Sequence, residues 1–191
     1  MKNTGKREEI VQAALELIAE KGFHGAPMAM IAKKSDVAVG TIYRYFENKD
    51  VLIDALYHEL EDKILAALRE EYSVKKPFRE RFLHLGTTLL RYFITYPPHF
   101  RYLEQYHNSP YGTSRRRDRF LGKINNRDIV TELFAEGIAQ QVLKDFPCIV
   151  LFALAFGPLV TLARDHILGF VVLDETLITQ TVEACWDGIR R

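Results

Sequence analysis

Apolar residues return at helical spacing along almost the whole chain, and strand-like alternation is sustained nowhere. Ile10, Ala14, Leu17 and Ile18 form one stripe and Leu52, Leu56, Leu60 and Ile64 another. A 3.6-residue period of this kind cannot settle as a sheet, so the expected fold is all-α. Helix-ending residues fall where the stripes stop: Gly22 after the first segment, Lys75-Lys76-Pro77 after a long fourth, Pro97-Pro98 after a fifth, and Gly137 near the end of a seventh. The reading comes to about nine helices, without the fixed-period repeat of a solenoid.

Segment length changes along the chain. Up to Lys49 the helical segments are short and closely spaced, and beyond it they are long. This divides the chain into a small N-terminal helix-turn-helix module of three helices, residues 1–48, and a larger helical body, residues 49–191. One helix from Lys49 to Tyr72, about 35 Å long, would join them. The formal net charge is only +1, so any nucleic-acid binding must come from a local patch and not from the overall field. Cys148 and Cys185 lie in apolar helix-like stretches and read as buried free thiols. The N-terminal MKNTGKREEIVQ lacks the apolar core of a secretory signal, which makes the cytoplasm the expected location.

The segment from Met28 to Phe46 carries the functional argument. It reads as two short helices about a turn at Ser35-Asp36-Val37. Ile31, Ala32, Val37, Ile42 and Phe46 are spaced to close a small core, leaving Val39, Gly40, Thr41, Tyr43, Arg44 and Tyr45 outward. Two tyrosines and an arginine suit a helix that enters the major groove of DNA. There arginine bridges guanine acceptors, a threonine methyl meets a thymine methyl, and tyrosine hydroxyls reach phosphates.

The stretch IAKKSDVAVGTIYRYFENKDVLI, Ile31–Ile53, resembles the signature of the tetracycline-repressor (TetR) family, including Phe46-x-x-Lys49 at the start of the fourth helix. The resemblance covers residues 6–56. It implies a base-contacting face of Val39, Gly40, Thr41, Tyr43 and Arg44, with Tyr45 and Lys49 on the phosphates. It also implies double-stranded operator DNA as partner, and an effector pocket in the middle of the C-terminal body. Three positions depart from the family pattern. Pro27 replaces a Ser or Thr cap, Asp36 replaces a turn glycine, and Ala29 stands where some members place a base-reading arginine.

Other features compete for attention. Residues 101–127 hold seven basic side chains (Arg101, Arg115, Arg116, Arg117, Arg119, Lys123, Arg127) against Glu104 and Asp118, which reads as a solvated face more readily than as a second nucleic-acid patch or an anionic-ligand gate. Glu104 and His107 form a Glu-x-x-His pair, the basis of the competing reading as a helical enzyme or metal-binding protein. None of the other five histidines has an acidic residue three positions earlier, so the second half of a di-iron site is missing. The expectation is no catalysis, no metal and no cofactor.

In the body, aromatic residues are dense. Phe82, Tyr92, Phe134, Phe152 and Phe156, with Glu104 and His107, are the candidate lining for a small apolar or aromatic effector. Glu104, facing inward, would favour a cationic ligand. Pro147–Ala163 is apolar apart from Thr161, yet short for a membrane span and interrupted by Gly157-Pro158. It reads as a helix buried between its own core and a second copy, with no membrane partner. The expected homodimer is a four-helix bundle made by about Pro147–Leu168 and Asp174–Arg190, through Ile149, Phe156, Val160, Leu177, Val182 and Trp186.

Overall fold

The computed structural model describes residues 4–120 and 129–191. Ten helices are present among them: α1 Thr4–Gly25, α2 Met28–Lys34, α3 Val39–Tyr43, α4 Lys49–Arg69, α5 Phe78–Thr95, α6 Pro97–His107, α7 Pro110–Phe120, α8 Ile129–Ala139, α9 Cys148–Ile167 and α10 Glu175–Ile189. The fold is all-α, with one helix more than the apolar stripes indicate, and the only extended pairing among the described residues is an isolated bridge between Leu143 and Arg190. The joining helix stops at Arg69, short of Tyr72.

The helices form two compact units. The first contains residues 4–62 and 97–118; the second contains 63–96 and the described part of 119–191. The first unit is thus larger than residues 1–48, because α6 and most of α7 fold against the N-terminal helices.

In the first unit both stripes point inward: Ile10, Ala14, Leu17, Ile18, Leu52, Leu56 and Leu60 are all buried. Gly22 does more than end the first segment. Its φ of 75° breaks the helix inside α1, a backbone that glycine adopts without the Cβ clash other residues meet. The break frees carbonyls that a regular turn would use, and Gln105 of α6 supplies the missing donor, its Nε2 lying 2.9 Å from the Ile18 carbonyl. From α4, Lys49 Nζ donates to the Phe23 carbonyl. Tyr102 is fully buried and donates its hydroxyl to the Ile53 carbonyl at 2.6 Å.

The second unit is built on ring packing. Phe82 lies 5.5 Å from Trp186 and 6.1 Å from Phe156, and Phe134 lies 6.0 Å from Phe156. At Gly86 of α5 a Cβ would come within 2.7 Å of a Val182 methyl on α10, so only glycine allows that closeness. α9 presents Leu151, Ala155, Phe156, Leu159 and Ala163 to this core. Its other side leaves Ile149, Val150, Phe152 and Leu154 exposed. By length and composition α9 could cross a membrane, the only such helix among the described residues.

Candidate nucleic-acid interface

Local chemistry builds the helix-turn-helix. Pro27 begins α2 in an extended conformation, and without a capping side chain its own carbonyl accepts from Met30 N at 2.9 Å and Ile31 N at 3.1 Å. Proline needs no N–H there, which is why it can take a capping position. Ser35 ends α2 buried, its hydroxyl donating to the Ile31 carbonyl at 2.8 Å. Asp36 then turns the chain at φ 50°, the left-handed region that glycine prefers and aspartate tolerates better than most residues. The Asp36 departure therefore keeps the turn at a small cost in strain.

Ile31, Ala32, Ile42 and Phe46 are buried, and Val37 is half-buried. This core fixes which way α3 faces. Val39, Gly40, Tyr43 and Arg44 are exposed, and Thr41 and Tyr45 are half-buried. A Cβ on Gly40 would meet nothing within 4 Å, so the face is open enough for another molecule to approach the backbone. Tyr43 is 51% exposed, far more than an aromatic ring gains from in water. Arg44 makes no ion pair among the described residues. Ala29 is exposed on α2. Neighbouring charges are already matched: Lys34 pairs with Glu16 at 2.8 Å, and Arg7 pairs with Glu59 at 2.5 Å and lies over the Phe46 ring. Lys49 is half-buried on the Phe23 carbonyl, and burial holds its ammonium below the usual lysine range.

The first unit also holds a set of joints with no motif in the sequence. Tyr57 stacks on Tyr106 at 4.1 Å, and the Arg115 guanidinium lies over Tyr57 at 4.7 Å while pairing with Glu61 at 3.0 Å. Tyr111 donates to Asp50 at 2.5 Å. The only available signal was the shared helical face of Tyr102, Gln105 and Tyr106. Asn48 was also missed; its Oδ1 caps α4 by accepting from Val51 N at 2.9 Å. Of the basic run at 101–127, Arg115 is engaged within the chain; Lys123 and Arg127 lie outside the described residues, as does the Arg119 side chain.

Of the seven candidate effector residues, four are rings that meet in the second unit around Phe156, with Phe152 5.1 Å from it. Phe82, Phe134 and Phe156 are buried against one another, whereas Phe152 is 44% exposed. Tyr92 is half-buried beside Tyr96 at 4.9 Å, and burial raises its hydroxyl to about 12. Glu104 and His107 belong to α6 in the first unit, where the His107 ring lies 5.9 Å from Tyr57. No group of three or more metal-ligating side chains occurs among the described residues. Of the six candidate dimer residues, Ile149 is exposed and Val160 and Leu177 are half-buried, but Phe156, Val182 and Trp186 are buried in their own chain. An all-round apolar stretch does not show which side its own core will take.

Two family models match separate stretches of the chain. Residues 10–56 match the family model for bacterial regulatory proteins of the tetR family, and residues 77–190 match that for the tetracyclin repressor-like C-terminal domain. An HTH-type transcriptional regulator of Haemophilus influenzae is 26% identical over 98% of this chain and 97% of its own. The fatty acid metabolism regulator protein of Bacillus subtilis is 30% identical over 91% of this chain and 82% of its own. The crystal structure of a TetR-family transcriptional regulator from H. influenzae superposes with a TM-score of 0.84 at 24% identity, covering 98% of each chain. A TetR family protein from Vibrio parahaemolyticus gives 0.74 at 31% identity, covering 97% of this chain and 99% of that one. With both of its parts matched, this chain belongs to the TetR family of transcriptional regulators, a family of DNA-binding proteins and not of enzymes.

Proposed function

We propose that the chain is a repressor that binds double-stranded operator DNA as a homodimer in the cytoplasm and is released by a small apolar or aromatic effector. One observation carries the reading: a buried core aims a short helix whose exposed face is Val39, Gly40, Tyr43 and an unpaired Arg44. Exposed valine and tyrosine gain nothing in water but gain much against base edges and the sugar-phosphate chain. Ala29, Thr41 and Tyr45 flank this face, with Lys49 at its edge.

The dimer is supported by the exposed apolar side of α9, where Ile149, Val150, Phe152 and Leu154 are each about two-fifths exposed. Exposed apolar side chains of that kind are what a two-fold interface covers. Two copies would then read half-sites about 34 Å apart, or a multiple of that. Residues 1–48 serve as the reading head and 49–191 as the effector-binding and dimerising body. Similarity over nearly the whole chain to a fatty acid metabolism regulator supports fatty acid metabolism as the process it controls.

The test is a mobility-shift assay on DNA from upstream of its own gene. Arg44→Ala weakens binding by about 1–3 kcal/mol and relaxes base preference, as loss of a bidentate base contact does. Wild-type affinity and wild-type preference in that variant would remove the assigned face.

A further inference from the structure

Within the second unit, one side of α5 is not covered by the aromatic core. Lys76, just before the helix, and His84, Thr87, Thr88 and Arg91 along it line an open groove of about 330 Å³. Positions 84, 87, 88 and 91 follow the spacing of one helical face, and the groove volume is at the lower end for sites that hold small ligands. His84, Thr87 and Thr88 are half-buried. The His84 ring is held in place by the Leu68 carbonyl, 3.3 Å from Nε2, with the Tyr72 ring 6.0 Å away.

Two basic side chains, Lys76 and Arg91, and one carboxylate, Glu80, line the groove; Glu175, bonded to Arg91, balances the second positive charge. Arg91 reaches Glu175 with its Nε at 3.1 Å, but that pair is open to water, with the side chains 52% and 69% exposed. Such a pair contributes little stability, so the guanidinium exchanges its partner at small cost. We propose that this groove holds the anionic end, carboxylate or phosphate, of a small organic ligand. The planar fork of Arg91 matches either oxyanion. The two threonine hydroxyls add donors, Lys76 adds charge, and Leu83 gives the attached carbon an apolar contact. The inference rests on reading the body as effector-binding, and it gives the ligand the opposite sign to the one Glu104 suggested.

Calorimetric titration of the full-length protein with octanoate, inorganic phosphate and octyltrimethylammonium tests it. At least one anion binds, and the double substitution Lys76→Gln, Arg91→Gln weakens it tenfold or more without weakening octyltrimethylammonium. Thr88→Leu, which fills the groove and leaves its charge alone, weakens the anion as well. Octanoate alone binding identifies a carboxylate with its chain; phosphate alone binding identifies a phosphate. No anion binding, equal anion affinity in all three proteins, or equal loss of the ammonium overturns the site. Anisotropy of labelled upstream DNA separates this from the release reading. An anion that binds in the groove without releasing DNA keeps the site and ends its role as effector. A releasing molecule indifferent to both variants keeps the effector and ends the site.

Discussion

The two units of this protein are held together by different kinds of force. In the first, directional polar contacts sit among the apolar stripes: Gln105 on the Ile18 carbonyl, Tyr102 on Ile53, Lys49 on Phe23, and Arg115 on Glu61. In the second, rings carry the core, and the cluster of Phe82, Phe134, Phe156 and Trp186 has few polar partners. Hydrogen bonds have angles to enforce, so they fix the orientation of the helices that carry them. Apolar contact is non-directional, so a core of rings tolerates repacking more readily.

Phe156→Ala is the most damaging way to probe this contrast. It removes a ring from a fully packed site and costs about 3–5 kcal/mol. Trp186 is the only tryptophan and lies in the second unit, so urea unfolding followed by its fluorescence shows the loss directly. A single far-ultraviolet circular dichroism transition, to which the helices of both units contribute, with the same midpoint shift would show the two regions unfolding as one.

The partly buried ionic pair of the second unit gives a smaller effect. Arg81 is buried over the Phe78 ring, pairs in bidentate fashion with Glu136, and holds that carboxyl below its ordinary range. A carboxylate whose folded pKa is lower than its unfolded one stabilises above the unfolded value, near 4.5, and loses that contribution as pH falls through the folded value. Stability of this unit therefore declines below about pH 4.5. Glu136→Gln costs about 1–2 kcal/mol at neutral pH, given the partial exposure of the carboxylate, and flattens the acid limb of the stability curve.

In the first unit, Tyr102→Phe keeps the ring and removes one directional contact. It costs about 1 kcal/mol, measured by urea unfolding followed by far-ultraviolet circular dichroism. A cost near zero would mean that the polar joints do not hold the head. Asp36→Gly is the mildest change. It relieves the left-handed strain at φ 50° but loosens the unfolded chain, so the net gain stays below about 1 kcal/mol and appears as a small rise in melting temperature.

The period of the apolar residues was enough to establish an all-helical chain, because 3.6-residue spacing admits no other burial. The Met28–Phe46 motif also showed which residues of α3 face outward, since a helix of five residues with two core anchors, Ile42 and the following Phe46, has few ways to turn. The body was less legible. Phe82, Phe134 and Phe156 carry no mark that distinguishes a pocket wall from a packed core, and only their partners decide it. The same holds for α9, apolar all round in sequence, where contact with α5, α8 and α10 buries Leu151 and Phe156 and leaves Phe152 in water. The joints of the first unit depend on residues far apart in the chain, Gln105 with Ile18 and Tyr102 with Ile53. Spacing within one helix records what that helix can bury; which neighbour comes to meet it is settled only when distant segments pack.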